Sequence, residues 1–249
     1  MALFTGELQR ALAGPGCALC RLVRRQEEAW IWHTLYEFTG DPEVRSRLDA
    51  SYGFCHEHAH LLRRVLTGHR LLGGSGVARI YETVVLRYRE QLAALAGPGG
   101  RLKQWLGSEH QQLEKLKPEG CPLCLASHHA ARGAVFFLLE ALQKEGRLWR
   151  PRLKSSEGLC NPHFLLALED RQAREDPELR QFLIQDQLER LAKLQDRLHQ
   201  LQRKQRYDVH ESISEEEACS WQEVIWRFTG MQYEKLLWQV GPEGDVGGQ

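Results

Sequence analysis

Cys17-Ala18-Leu19-Cys20 is followed by Cys55-His56-Glu57-His58, and the same order returns as Cys121-Pro122-Leu123-Cys124 and Cys160-Asn161-Pro162-His163. The inner cysteines are 35 positions apart in the first half (20 to 55) and 36 in the second (124 to 160). Three thiolates and one imidazole make a complete tetrahedral set for Zn²⁺. Two residues between paired ligands let the chain turn so that both side chains meet one ion. Six of the seven cysteines belong to this pattern, and the near-equal gaps point to a duplicated module. The expectation is one zinc ion per repeat, two per chain. Cys17, Cys20, Cys55 and His58 would hold the first, and Cys121, Cys124, Cys160 and His163 the second. A cross-braced pairing, with the Cys-x-x-Cys of one half joined to the Cys-x-x-His of the other, fits the same spacings. Either way four protein ligands close the ion off from water, which favours a structural role over a catalytic one.

The rest of the chain reads as helix. β-Branched alternation is almost absent, and Leu, Ala, Arg, Glu and Gln dominate. Helices are expected over 2–13, 22–38, 42–50, 56–66 and 77–95, then over 102–116, 125–144, 164–174 and about 177–206. Asp41-Pro42-Glu43 and Asp176-Pro177-Glu178 carry helix-start chemistry: Asp as N-cap, Pro in the first turn, Glu at the positive end of the dipole. Arg147 to Ser156, with Pro151 inside, is expected to be irregular. Gly97-Pro98-Gly99-Gly100 marks a linker. Ile184, Leu191 and Leu198 recur every seven residues with Leu194 and Leu201 between them. That is a coiled-coil-like seam, suited to self-association or to packing on the helix 77–95. Ser212-Ile213-Ser214-Glu215 resembles a capping box opening a last helical segment. The fold class is therefore all-α. Two tandem helical modules, 1–100 and 101–207, each surround a metal site, and an acidic helical segment with a disordered tail fills 208–249.

Hydrophobic residues make up 42% and charged residues 27%, as in an ordinary soluble protein. Met1 to Arg10 lacks a secretory profile, and apolar runs such as Ala134 to Leu139 are far too short to span a bilayer. A cytoplasmic protein without membrane contact is the expectation. In that reducing setting patterned cysteines serve metal in preference to disulfides. The formal net charge is zero, but nine acids and only Arg227 and Lys235 lie beyond position 207. Packing of that acidic segment on a mildly basic body is favoured over nucleic-acid regulation. The arginine groups near the metal motifs lack aromatic interleaving, so nucleic-acid binding is not favoured.

The other candidate residues have plainer readings. His56, Glu57 and His60 flank His58 as exposed helix positions or as supports of the ligand imidazole. His128-His129 reads as surface, Cys219 as a buried free thiol, and the tryptophans as mostly core. Iron–sulfur ligation is disfavoured, because neither half has four cysteines. The deaminase signature fails, because its upstream His-x-Glu is missing. The order of motifs resembles an uncharacterised prokaryotic family with duplicated zinc-type helical modules, over roughly Cys17 to Arg206. The resemblance implies metal ligation at the eight residues named and no activity. Two roles follow as expectations. One is a scaffold or regulatory protein that meets another protein, or itself, through the long helix. The other is a thiol or zinc redox sensor or oxidoreductase.

Overall fold

The computed structural model describes residues 2–69, 71–96, 113–114, 116–233 and 235–238. Among the described residues every regular element is a helix. In chain order these are α1 (Ala2–Ala13), α2 (Ala18–Tyr36), α3 (Pro42–Ala50), α4 (His56–Gly68), α5 (Gly74–Ala96), α6 (Pro122–Lys144), α7 (Gly146–Ser155), α8 (Asn161–Glu169), α9 (Arg171–Glu175), α10 (Pro177–Lys204), α11 (Glu215–Ala218) and α12 (Ser220–Thr229). The expected linker at 97–100, most of the expected helix 102–116 and the expected tail 241–249 lie outside the described residues.

The helix starts follow their local chemistry. Asp41 Oδ1 accepts hydrogen bonds from the backbone N–H of Glu43 and Val44, both at 2.9 Å. Asp176 Oδ1 accepts from Leu179 N–H at 3.0 Å. The capping box sits two residues beyond the expected place. Ser214 Oγ accepts from Glu217 N–H at 3.3 Å, and Glu217 Oε2 accepts from Ser214 N–H at 2.8 Å. The expected helix 164–174 is broken at Asp170, whose carboxylate caps α9 by accepting from Gln172 N–H at 2.9 Å.

Arg147 to Ser156 departs from expectation, because it is helical (α7) with Pro151 inside it. Pro151 removes one N–H from the ladder. Burial offsets that loss: Trp149 and Leu153, one turn apart, are each only 1% exposed. Arg190 then closes the end of the helix, donating to the carbonyl oxygens of Ser156 at 2.6 Å and Leu153 at 2.7 Å.

The chain divides into two compact units. The first joins Met1–Arg24 to His129–Lys235, and the second joins Arg25–His128 to Leu236–Gln249. This is not the expected tandem division at 100 and 207, since each unit takes chain from both repeats. The chain passes from one unit to the other within α2 and again within α6. In the first unit, Val135, Leu138, Leu139 and Leu142 form one stripe of α6 and are packed with Leu8, Leu19, Trp149, Leu179 and Leu183. In the second, Leu61, Leu62 and Val65 of α4 pack with Ile31 and Leu35 of α2, Leu48 of α3 and Ile80 of α5.

The long helix α10 finds its partners inside the first unit. It packs on α9, α11 and α12, whereas the expected partner helix 77–95 (α5) belongs to the second unit. Its fully buried positions are Leu179, Leu183, Asp186, Gln187 and Leu194, so the buried face only partly follows the heptad seam. Acids of the C-terminal segment meet its bases: Glu223 with Arg197 at 2.6 Å, Glu217 with Lys204 at 2.8 Å and Glu211 with Arg203 at 2.5 Å. The acidic segment thus lies on the basic helix, as its charge suggests.

Candidate metal centres

All four cysteine motifs have one local structure. Cys17, Cys55, Cys121 and Cys160 each immediately precede a helix, α2, α4, α6 and α8 respectively. The carbonyl of each accepts the N–H four residues on: Arg21 at 3.2 Å, Ala59 at 2.8 Å, Leu125 at 3.4 Å and Phe164 at 2.8 Å. The first ligand is therefore the N-cap residue, and the second, three positions later, lies in the first helical turn. This is the spacing at which an N-cap side chain and an N3 side chain meet. It also places every thiol at the positive end of a helix dipole, which favours thiolate. Two such ends converge at each cluster.

The clusters are Cys17, Cys20, Cys160 and His163 in the first unit, and Cys55, His58, Cys121 and Cys124 in the second. The expected pairing within each repeat is thus overturned, and the cross-braced arrangement is the one present. The physical reason is the length of α2. At about 28 Å it carries the chain away from Cys20. The nine-residue α3, about 14 Å long, covers only half that length before Cys55. Each Cys-x-x-Cys therefore meets the Cys-x-x-His of the other repeat.

In the first cluster His163 Nδ1 lies 3.6, 3.4 and 3.1 Å from the sulfurs of Cys17, Cys20 and Cys160, and the sulfurs of Cys20 and Cys160 are 3.5 Å apart. In the second, His58 Nδ1 lies 3.3, 3.6 and 3.4 Å from Cys55, Cys121 and Cys124, and Cys55 and Cys124 are 3.6 Å apart. A tetrahedral zinc ion with ordinary bond lengths needs about 3.6 Å between sulfur and nitrogen and about 3.8 Å between sulfurs. Both clusters fit that size.

The surroundings differ. In the first cluster Cys17 and Cys160 are fully buried and Cys20 is 9% exposed. Cys20 Sγ accepts a hydrogen bond from Met231 N–H at 3.4 Å, so the turn after α12 lies over the sulfur. Gly16 has φ +74, and a Cβ there would fall 1.8 Å from Met231 Sδ, so glycine is needed for that closure. In the second cluster Cys124 is exposed and Cys55 half-buried. There His58 turns its Nε2 to Glu27 Oε1 at 3.4 Å, and the Ser127 hydroxyl lies 2.7 Å from the same oxygen. A carboxylate behind a ligand histidine fixes its tautomer and leaves Nδ1 for the ion. Sequence reasoning missed Glu27, Ser127 and Met231. The first two read as ordinary polar helix positions, and Met231 lies 211 positions from Cys20.

The protons on these groups are strongly redistributed. Burial alone would lower both histidines. Hydrogen bonds to Cys121 and Glu27 instead raise His58 to about 10, and those to Cys160 and Cys17 raise His163 to about 10. Burial raises Cys121, but hydrogen bonds to His58 and to the backbone of Cys55, Cys124 and Leu123 together outweigh this and lower it to about 6. Cys124 is pushed up to about 12 by burial and by its hydrogen bond to Cys55. Burial opposes the lowering of Cys17, yet hydrogen bonds from Cys160, Cys20 and His163 hold it well below a normal thiol. Cys20 is raised by its hydrogen bonds to Cys160 and Cys17. A divalent cation replaces such shared protons in a four-ligand set.

The remaining candidates lie elsewhere. His56, Glu57 and His60 are exposed, with the two imidazole rings 4.6 Å apart, and His128 and His129 are exposed as well. Cys219 is exposed at the junction of α11 and α12, against the expectation of burial. Trp32 and Trp149 are buried, while Trp221 is 52% exposed on α12. Trp105 and Arg70 lie outside the described residues. No helix among the described residues is long and apolar enough to cross a membrane.

No curated protein and no solved structure matches the chain. A family model does match, over residues 9–222, a span that holds all eight cluster residues and both repeats. On that match the chain belongs to DUF6062, a family of unknown function.

Proposed function

We propose that the protein binds two Zn²⁺ ions in closed Cys₃His sites, and that these ions hold helix termini together in a scaffold that meets other proteins. What carries the reading is the pair of complete four-ligand sets, each with ligand separations of tetrahedral zinc size. Each ion would tie two helix starts that are far apart in the chain, and its binding energy would add to folding energy. Four protein ligands leave no position for substrate or water, so neither site offers the open coordination that hydrolysis needs. Cysteine clusters of this kind are kept reduced in a cytoplasm. Metal analysis of the purified chain should give two zinc ions per chain, and X-ray absorption should give three sulfurs and one nitrogen per ion. A ratio near one, or iron in place of zinc, would refute the reading.

The exposure of Cys124 favours a second role at the second cluster alone, as an oxidant-sensitive zinc site. A peroxide oxygen would be attacked by the Cys124 sulfur, breaking the O–O bond and releasing hydroxide. The Cys55 sulfur, 3.6 Å away, would then displace the second hydroxide to form a disulfide and free the ion. One equivalent of hydrogen peroxide should release one zinc ion per chain, with the first cluster still loaded. Loss of both ions together would rule this out.

A further inference from the structure

We propose that the second unit carries a groove for peptide segments of the pattern aliphatic–any–Trp held in a turn, and that residues 236–238 of this chain occupy it as a built-in competitor. The inference goes beyond the zinc reading and does not rest on metal. It starts from α2, where Glu28, Trp32 and Tyr36 recur every four residues and so line one face. The end of α4, Gly68 and the following His69, forms the other wall. Between them lies a segment without regular secondary structure.

Three kinds of contact hold that segment, and each reads a different property of a peptide. Glu28 is fully buried, and its Oε2 accepts the backbone N–H of Leu237 and of Trp238, both at 2.6 Å. Two consecutive main-chain donors on one carboxylate oxygen recognise a turn of backbone irrespective of side chain, because successive N–H groups of an extended strand point to opposite sides. Leu236 fills the space that Gly68 leaves open. A Cβ on Gly68 would fall 2.3 Å from Leu236 Cδ1. Trp238 stands in an aromatic cage, with ring centroids 5.3 Å from Trp32, 5.8 Å from His33 and 5.6 Å from His69. Tyr36 extends the cage by stacking on Trp32 at 4.5 Å. Leu237, between the two anchors, contributes its backbone N–H to the clamp.

Main-chain hydrogen bonds for affinity and side-chain pockets for specificity are how protein surfaces take up linear peptides. The present occupant also leaves the site imperfectly satisfied. The indole N–H of Trp32 and Nε2 of His69 are buried without a hydrogen-bond partner among the described residues. A partner segment with a polar acceptor beside its tryptophan would complete them. The groove thus fits a protein partner that presents an aliphatic residue, one spacer and a tryptophan, with no proline at the last two positions.

The test uses the full chain with Leu236→Ala and Trp238→Ala together, and a fluorescein-labelled peptide of residues 233–240. Far-UV circular dichroism and metal content should match the unaltered protein. The variant should bind the peptide saturably. The unaltered chain should bind it at least about tenfold more weakly, because its own segment competes at high effective concentration. The same peptide with Trp238→Ala, or with Leu237→Pro, should not bind. A folded variant that binds no peptide, or one that binds the Trp238→Ala peptide equally well, overturns the proposal. Amide hydrogen exchange on the unaltered chain is the second measurement. The amides of Leu237 and Trp238 should exchange at least about tenfold faster than those of Ile31 and Trp32, since the segment must open without the core. Equal protection would make the segment a fixed part of the fold and would overturn the proposal even if the variant fails to fold.

Discussion

Cys20 and Cys160 are 140 positions apart in the chain and 3.5 Å apart in space, so they should gain and lose a metal ion together. A double variant, Cys20→Ser with Cys160→Ser, should keep one zinc ion per chain. Cys20→Ser with Cys55→Ser should keep none. Pairing within the repeats requires the reverse, so metal analysis of the two variants separates the arrangements. The protons at the second cluster set a pH dependence. In the metal-free fold at pH 7, His58 at about 10 and Cys124 at about 12 still hold protons, while Cys121 at about 6 has mostly lost its own. Metal uptake must expel at least those two protons, so lowering the pH favours the metal-free form. Affinity should rise about a hundredfold per pH unit between about 7 and 9 and fall more steeply below 6. Calorimetry in two buffers of different ionisation enthalpy counts the protons released, and a count of zero would contradict the assignment. The candidate ligands were legible at this scale because N-cap and N3 positions fix the spacing locally. Glu27 and Met231 were not, because they become neighbours of the ligands only through packing.

At the scale of elements, local rules predicted the starts of α1, α3, α4 and α10 but placed those of α2, α5, α6 and α8 three or four residues late, and α7 shows where they stop. Pro151 argues against a helix, but the propensity loss is about 3 kcal/mol. Full burial of Trp149 and Leu153 is of comparable size. Arg190 adds to it from α10. Its guanidinium meets Asp186 at 2.8 Å, with both side chains largely buried, and caps the end of α7. Arg190→Met should cost about 3 kcal/mol, because it leaves the Asp186 charge without its partner and the last carbonyls of α7 without donors. Denaturant unfolding of the metal-loaded chain would measure this, and a loss under about 1 kcal/mol would show the pair to be a surface ornament. The heptad pattern of α10 was readable as an intermolecular seam, though packing within the chain is the favoured reading. Its ion pairs with the acidic C-terminal segment, and its packing on α11 and α12, use part of that face within the chain.

For the whole molecule the crossing of the repeats is the central fact. A fragment ending at Gly100 holds the Cys-x-x-Cys of one cluster and the Cys-x-x-His of the other, a complete set of neither. It should not form a Cys₃His site, and nor should the complementary fragment 101–249. Mixed in the presence of zinc, the two should restore two ions per pair, read by metal analysis after gel filtration. A Gly100 fragment that binds one ion with three sulfurs and one nitrogen would disprove the crossing. The sequence by itself determined the helical class, the Asp41 and Asp176 helix caps and the eight candidate ligands, because each depends on residues within a few positions of one another. The grouping of those candidates into two clusters, the two units each drawn from both halves of the chain, and the exposure of Cys124 and Cys219 were decided by tertiary structure. They depend on which helix faces pack together across long separations in the chain, and spacing along a sequence does not encode distance in space.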